Sequence, residues 1–175
     1  MNTSRQSLQE RFFATSTCFG CGPANSEGLR LRSFPADTAD ESLAADQSRV
    51  LATFRTTNVH DNGLGFVNGG IIATLLDCHS AGSAMLTAER LGWTTGDGAV
   101  YPCVTAGLDL RYLRPTPLLE DLHLLAWVVE ATEEEISVMS TITHAGKTRA
   151  EALVRWRRWR PRTTPAGAEG VRQTG

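Results

Sequence analysis

The chain has 175 residues, of which 41% are hydrophobic and 21% charged, with a formal net charge of −2. That length suits one domain with a core of its own. The balance excludes a disordered chain and argues against a protein whose main task is to wrap nucleic acid. No apolar run reaches the roughly 20 residues of a bilayer span, so no membrane partner is expected. The first residues, MNTSRQSLQERFFATS, lack the apolar centre of a secretory signal. A cytoplasmic protein with four reduced cysteines is the expectation.

Residues 7–14 read as a short helix with Leu8, Phe12 and Phe13 on its apolar side. CFGCGPANSEG follows as a Gly/Pro/Asn-rich loop. Residues 29–34, LRLRSF, alternate as a strand, and 49–57, RVLATFRTT, form a second one after a polar, acidic connection. NVHDNGLGFVNGG is a loop with four glycines, long enough to suggest a site. At Gly69 or Gly70 a long helix begins and continues to about residue 90. Ile71, Ile72, Leu75, Leu76, Met85 and Leu86 keep helical spacing, and Ala73, Ala81, Gly82, Ser83 and Ala84 allow close packing. Such a helix is buried.

Residues 99–113 alternate again, with Val104, Ala106, Leu108, Leu110 and Tyr112 on one face. Residues 122–130 are almost wholly apolar, as in a strand covered on both faces. Residues 136–143 and 148–159 complete the sheet, so the last four strands read as a meander. The expected organisation is an N-terminal helix and Cys loop over 1–28, an α+β domain over 29–160, and a disordered tail over 161–175. An antiparallel sheet needs one face covered, and one long helix wrapped by a curved sheet satisfies it.

Three stretches carry a resemblance. CFGCGPANSEGLRL resembles a Cys-Phe-x-Cys-Gly opening, with Ser26 where proline is usual. NGLGFVNGGIIATLLDCHSAGSA resembles a His-Gly-Gly, apolar stretch, Leu-Asp signature. VTAGLDLRYLRPTPL resembles a Thr-containing strand that ends in Arg-Pro. Together they resemble the hotdog-fold acyl-CoA thioesterases of the phenylacetate-pathway type. The resemblance implies a hotdog fold, an acyl-CoA substrate, no cofactor, and a homodimer or homotetramer with its site at a dimer interface.

Carried over by position, Gly69 offers its backbone N–H to the thioester carbonyl, with Gly70 beside the substrate. Asp77 is the base that activates water, or the direct nucleophile. Asn62 helps to hold the water, and Thr105 sits beside the Asp. Asn68 stands where the family has histidine; asparagine caps a helix and hydrogen-bonds but carries no proton as imidazole does.

The spacing has its own logic. A helix N-terminus supplies free N–H groups and partial positive charge, a natural oxyanion site. Asp77 lies eight residues after Gly69, roughly 12 Å along the axis. Both cannot touch one carbonyl from the same chain, whereas two antiparallel helices across a two-fold axis bring Gly69 of one to Asp77 of the other. Arg111 and Arg114 are candidates for the phosphates of coenzyme A, and His60 is a loop histidine within reach of a substrate. RWRRWRPR near the C-terminus is a second basic cluster, with a solvated edge strand as its plainer reading. His79, two positions from Asp77, points to another side of the helix and reads as a packed or interfacial histidine. Cys18-x-x-Cys21 has no second Cys pair after it, and Cys78 and Cys103 fall in the predicted helix and strand, so no metal is expected. The alternative function is a non-catalytic acyl-CoA-binding hotdog protein, which the Asn68 substitution keeps open.

Overall fold

The structure, a computed structural model, describes residues 6–36, 48–94 and 100–160. The tail expected at 161–175 and most of the acidic connection lie outside them. The first helix, α1, spans Leu8–Phe13. Ser7 caps it: its hydroxyl accepts from the Glu10 backbone N–H, while the Glu10 carboxylate accepts from the Ser7 N–H at 3.0 Å. This capping box satisfies two orphan donors of a helix too short to stand alone.

Six antiparallel strands follow: β1 (Phe34–Pro35), β2 (Arg49–Arg55), β3 (Cys103–Tyr112), β4 (Asp121–Ala131), β5 (Glu135–His144) and β6 (Lys147–Arg158). The long helix α2 (Gly69–Arg90) lies between β2 and β3 in sequence. The sheet order is β1-β2-β4-β5-β6-β3. Only β4, β5 and β6 form the expected meander. β3 instead pairs with β6 at the far edge, and β4 takes the place beside β2. The β5–β6 hairpin turns at Ala145 and Gly146, with φ of 50° and 70°, the two positive values that suit the right-handed twist of paired strands.

Two further expectations are corrected. Residues 29–33 do not join the sheet. Arg30 is left-handed at φ 53°, and the Leu29 and Leu31 amides donate instead to Phe19 and Gly20 of the Cys loop. β4 is covered on one face only: Leu122, Leu124, Ala126 and Val128 are buried, while Val129 on the other side is 58% exposed. Its apolar outer residues do not imply a second layer within the chain.

α2 packs across β4, β5 and β6. Leu75, Leu76, Ala84 and Ala88 on the helix and Leu122, Ala126, Ile136, Val138, Ile142 and Val154 on the strands are fully buried. By length and composition alone α2 is apolar enough to span a membrane, yet most of it is buried inside the fold as a core helix. His79 is wholly buried, as its side of the helix suggested. Its Nδ1 lies 2.8 Å from the Ser33 hydroxyl, which Gln9 of α1 also reaches. The N-terminal segment is therefore fastened onto the helix through a buried polar relay.

Candidate functional site

The loop before α2 is built to present the helix terminus. Its first turn is the 3-10 segment Asn58–His60. The Asp61 carboxylate then accepts from the Gly63 and Gly65 amides, both at 3.0 Å, and the Asn62 side-chain oxygen accepts from the Leu64 amide at 2.8 Å. Gly63 and Gly65 hold φ near +80°, which glycine alone adopts without strain. The Asn62 Nδ2 group meets no protein acceptor among the described residues. Asn68 caps α2: its Oδ1 accepts from the Gly70 amide at 2.8 Å. The cap thus consumes the Gly70 N–H, while the Gly69 N–H meets no protein acceptor among the described residues. The Gly69 carbonyl accepts from the Tyr112 hydroxyl at 2.9 Å, and a Cβ at Gly69 would come within 3.1 Å of that hydroxyl. Asn62, Gly69, Gly70, Tyr112 and Arg114 line one cavity of about 700 Å³.

Asp77 faces a different cavity, of about 400 Å³, shared with Thr105, Cys18, Cys21, Cys78 and Trp156. Its carboxylate is half-buried and accepts from the Thr105 hydroxyl at 2.9 Å. Burial pushes the Asp77 pKa up, and the Thr105 bond partly offsets this. The Asp77 backbone is held as well. Its carbonyl accepts from the Ser80 hydroxyl at 2.7 Å, which accepts in turn from the Trp156 indole N–H at 2.9 Å. Thr105 precedes a bulge in the β3–β6 register between Thr105 and Gly107. The Arg155 guanidinium lies over Gly107, where glycine leaves it room.

Asp77 and Thr105 are thus brought together within one chain, and Gly69, Gly70 and Asn62 are gathered separately. His60 is a buried residue and not a solvated loop histidine. It is 8% exposed, stacks on Phe54 at 5.3 Å, and its Nδ1 accepts from the Thr57 amide at 3.0 Å. Burial lowers its pKa and keeps it neutral. Its backbone carbonyl holds the Asn68 amide, so His60 supports the cap from behind. Arg111 is exposed and pairs with Glu151 across the strands at 3.2 Å, away from both cavities. Arg114 lines the Gly69 cavity but spends one N–H on the Thr148 carbonyl. The basic run at the C-terminus is not an edge, because β6 lies between β5 and β3. Arg158 and Arg160 pair with Glu133 and Glu134 of the turn between β4 and β5, and Arg157 pairs with Glu135 at the start of β5. Tyr112 and Trp156 escaped the sequence reading as site residues because each meets a partner dozens of residues distant, whereas Ser80 bonds the Asp77 carbonyl three residues back, a local pattern that could have found it.

A curved antiparallel sheet around one buried helix, with a carboxylate on that helix, defines a hotdog protein. No family model matches the chain. It is 31% identical over 88 residues to acyl-coenzyme A thioesterase 13 of Homo sapiens and of Pongo abelii, which is 50% of this chain and 56% of theirs. The chain therefore spans about half the length of the curated relatives it matches. A thioesterase superfamily protein from Shewanella loihica aligns over 79% of this chain and 98% of its own, with TM-score 0.55 and 27% identity. A phenylacetic acid degradation-related protein from Ralstonia eutropha covers 86% and 98%, with TM-score 0.60 and 21% identity. The chain has the hotdog fold shared by these thioesterase superfamily structures.

Proposed function

We propose that the protein is an acyl-CoA thioesterase that acts as a homodimer, with Asp77 as its base. The observation that carries this reading is the half-buried Asp77 carboxylate, held by Thr105 at the wall of a cavity large enough for an acyl group. The resemblance to an acyl-coenzyme A thioesterase supports the substrate class.

In this reading the thioester carbonyl accepts from the Gly69 N–H of one protomer while Asp77 of the other takes a proton from water. The water oxygen bonds to the carbonyl carbon, and the oxyanion that forms is held at the helix terminus. The carbon–sulfur bond then breaks, the sulfur takes a proton, and a free acid and coenzyme A leave. Asn62, through its free Nδ2, orients the water. Asp77 as direct nucleophile gives the same products through an anhydride that water then opens. Arg114 is the better placed of the two arginines to meet a phosphate; Arg111 is committed to Glu151.

The dimer rests on two observations. Gly69 and Asp77 line separate cavities of one chain, and β3 is an edge strand whose Val104, Leu108 and Tyr112 are 49%, 38% and 56% exposed. Unpaired edges with apolar side chains demand a cover. Joining two β3 edges would set the two helices side by side.

A panel of acyl-CoA esters, read by release of free thiol, tests the reading. Turnover on some member is expected, with Asp77→Asn nearly inactive. Binding of acyl-CoA without turnover of any ester would instead favour the non-catalytic alternative, which Asn68 supports: its side chain is committed to the cap and carries no proton. A fully active monomer would remove the cross-subunit arrangement.

A further inference from the structure

The loop CFGCG was read from sequence as a lone cysteine pair, with no metal. The fold corrects the premise, because α2 delivers a third sulfur. The Sγ atoms of Cys18, Cys21 and Cys78 all lie within 4.8 Å of one another, and Cys18 and Cys78 are 3.7 Å apart. All three are free thiols. A tetrahedral zinc with Zn–S bonds near 2.3 Å separates its sulfurs by about 3.8 Å. The observed spacing is close to that edge and nearly twice the roughly 2.05 Å of a disulfide bond.

The approach is built into the chain. A Cβ at Gly20 would meet the Cys78 Sγ at 2.3 Å, so only glycine lets the loop come this close to the helix. The Gly22 amide donates to the Cys18 carbonyl at 2.9 Å and closes the turn that points Cys18 and Cys21 the same way. The Leu29 and Leu31 amides, bonded to Phe19 and Gly20, hold the turn from its other side. These are the bonds that kept residues 29–33 out of the sheet. The C-x2-C spacing is that of structural zinc sites.

From this geometry we propose that Cys18, Cys21 and Cys78 bind one zinc ion as thiolates, joining the N-terminal loop to the middle of α2. A tetrahedral ion needs a fourth donor. Among the described residues no other Cys, His, Asp or Glu atom joins the group, so the fourth place falls to solvent from the cavity that all three cysteines line. On binding, each thiol releases its proton to solvent and no electron moves. The ion fixes the wall of the cavity that Asp77 shares. Its presence is independent of whether the protein hydrolyses thioesters.

The test uses the full chain, purified with reductant and zinc chloride and then desalted, with zinc measured by elemental analysis and free thiols by titration after chelation. About one zinc per chain is expected, falling to none in Cys18→Ser and in Cys21→Ser. Cys103→Ser should retain it, because Cys103 lines the same cavity but stands outside the group. Cobalt in place of zinc should give a thiolate charge-transfer band and tetrahedral ligand-field bands, absent in Cys21→Ser. Chelation should lower the Tm of the wild type and leave that of Cys21→Ser unchanged, a readout that does not depend on the buried Cys78 tolerating substitution. The proposal is overturned if fully reduced protein retains no zinc or cobalt. Equal retention in the Cys18 and Cys21 variants, or a disulfide among the three that persists in reductant, overturns it as well.

Discussion

The first turn of α2 and its midpoint lie roughly 12 Å apart on one helix, and they are made in opposite ways. The first turn works through backbone: an uncommitted Gly69 amide, a cap from Asn68, and a loop held by its own Asp61 and Asn62 side chains. Most of its partners are near in sequence, with Tyr112 on the Gly69 carbonyl as the long-range exception. The midpoint works through side chains: Asp77 and Cys78 meet Thr105, Trp156, Cys18 and Cys21, delivered by β3, β6 and the N-terminal loop. A site made of local backbone tolerates changes elsewhere in the fold, whereas a site made of converging side chains depends on the whole sheet being in register. An enzyme that uses both must bring a second copy of the chain, since one helix cannot fold its own ends together.

That contrast can be broken most severely at Asp77. Asp77→Asn keeps the shape and removes the proposed base, so kcat should fall by about 10²- to 10⁴-fold, the usual contribution of a general base. Thermal stability should hold or rise slightly, because a half-buried charge is gone; a variant that loses stability and activity together would make Asp77 structural. Thr105→Val comes next. It removes a hydrogen bond to a charged group, worth about 1.5–3 kcal/mol, so kcat should fall by about tenfold or more with little change in KM. An unchanged kcat would separate Thr105 from the chemistry.

At the other end of the helix, Asn68→Ala should cost about 1 kcal/mol through the lost cap, seen as a lower Tm. It should also weaken substrate binding by a few fold as the first turn frays. If activity fell as far as in Asp77→Asn, the first turn would be more than a backbone device.

The smallest effect lies outside both regions, at the N-terminal capping box. The Ser7 backbone N–H and hydroxyl, with the Arg32 guanidinium, hold the Glu10 carboxyl down at about 2. A carboxylate with a depressed folded pKa contributes stability above its ordinary value of 4.5, and that contribution disappears as pH falls from there towards about 2. Tm curves of wild type and Glu10→Gln should therefore differ modestly at neutral pH and converge in acid. Curves that stay parallel through that window would remove the capping box from the account of α1.

Local patterns in the sequence mark α2, its start at the glycine pair, the acid Asp77 in the middle of its apolar run, and the mismatch between their spacing and a single active site. These are local properties: helical periodicity, a capping residue and a rise per residue. They also mark five of the six strands approximately, through alternation or, for β4, an apolar run. Which strands are neighbours is settled in the folded sheet. β3 crosses to the far edge because pairing is settled by where the sheet closes around α2, and alternation carries no information about a strand's partner. The same holds for side chains that meet across the fold. Tyr112 on Gly69, Trp156 behind Ser80, and Cys78 beside Cys18 and Cys21 are contacts between segments separated by many residues. Their chemistry is written in the residue types, but their meeting is decided by packing.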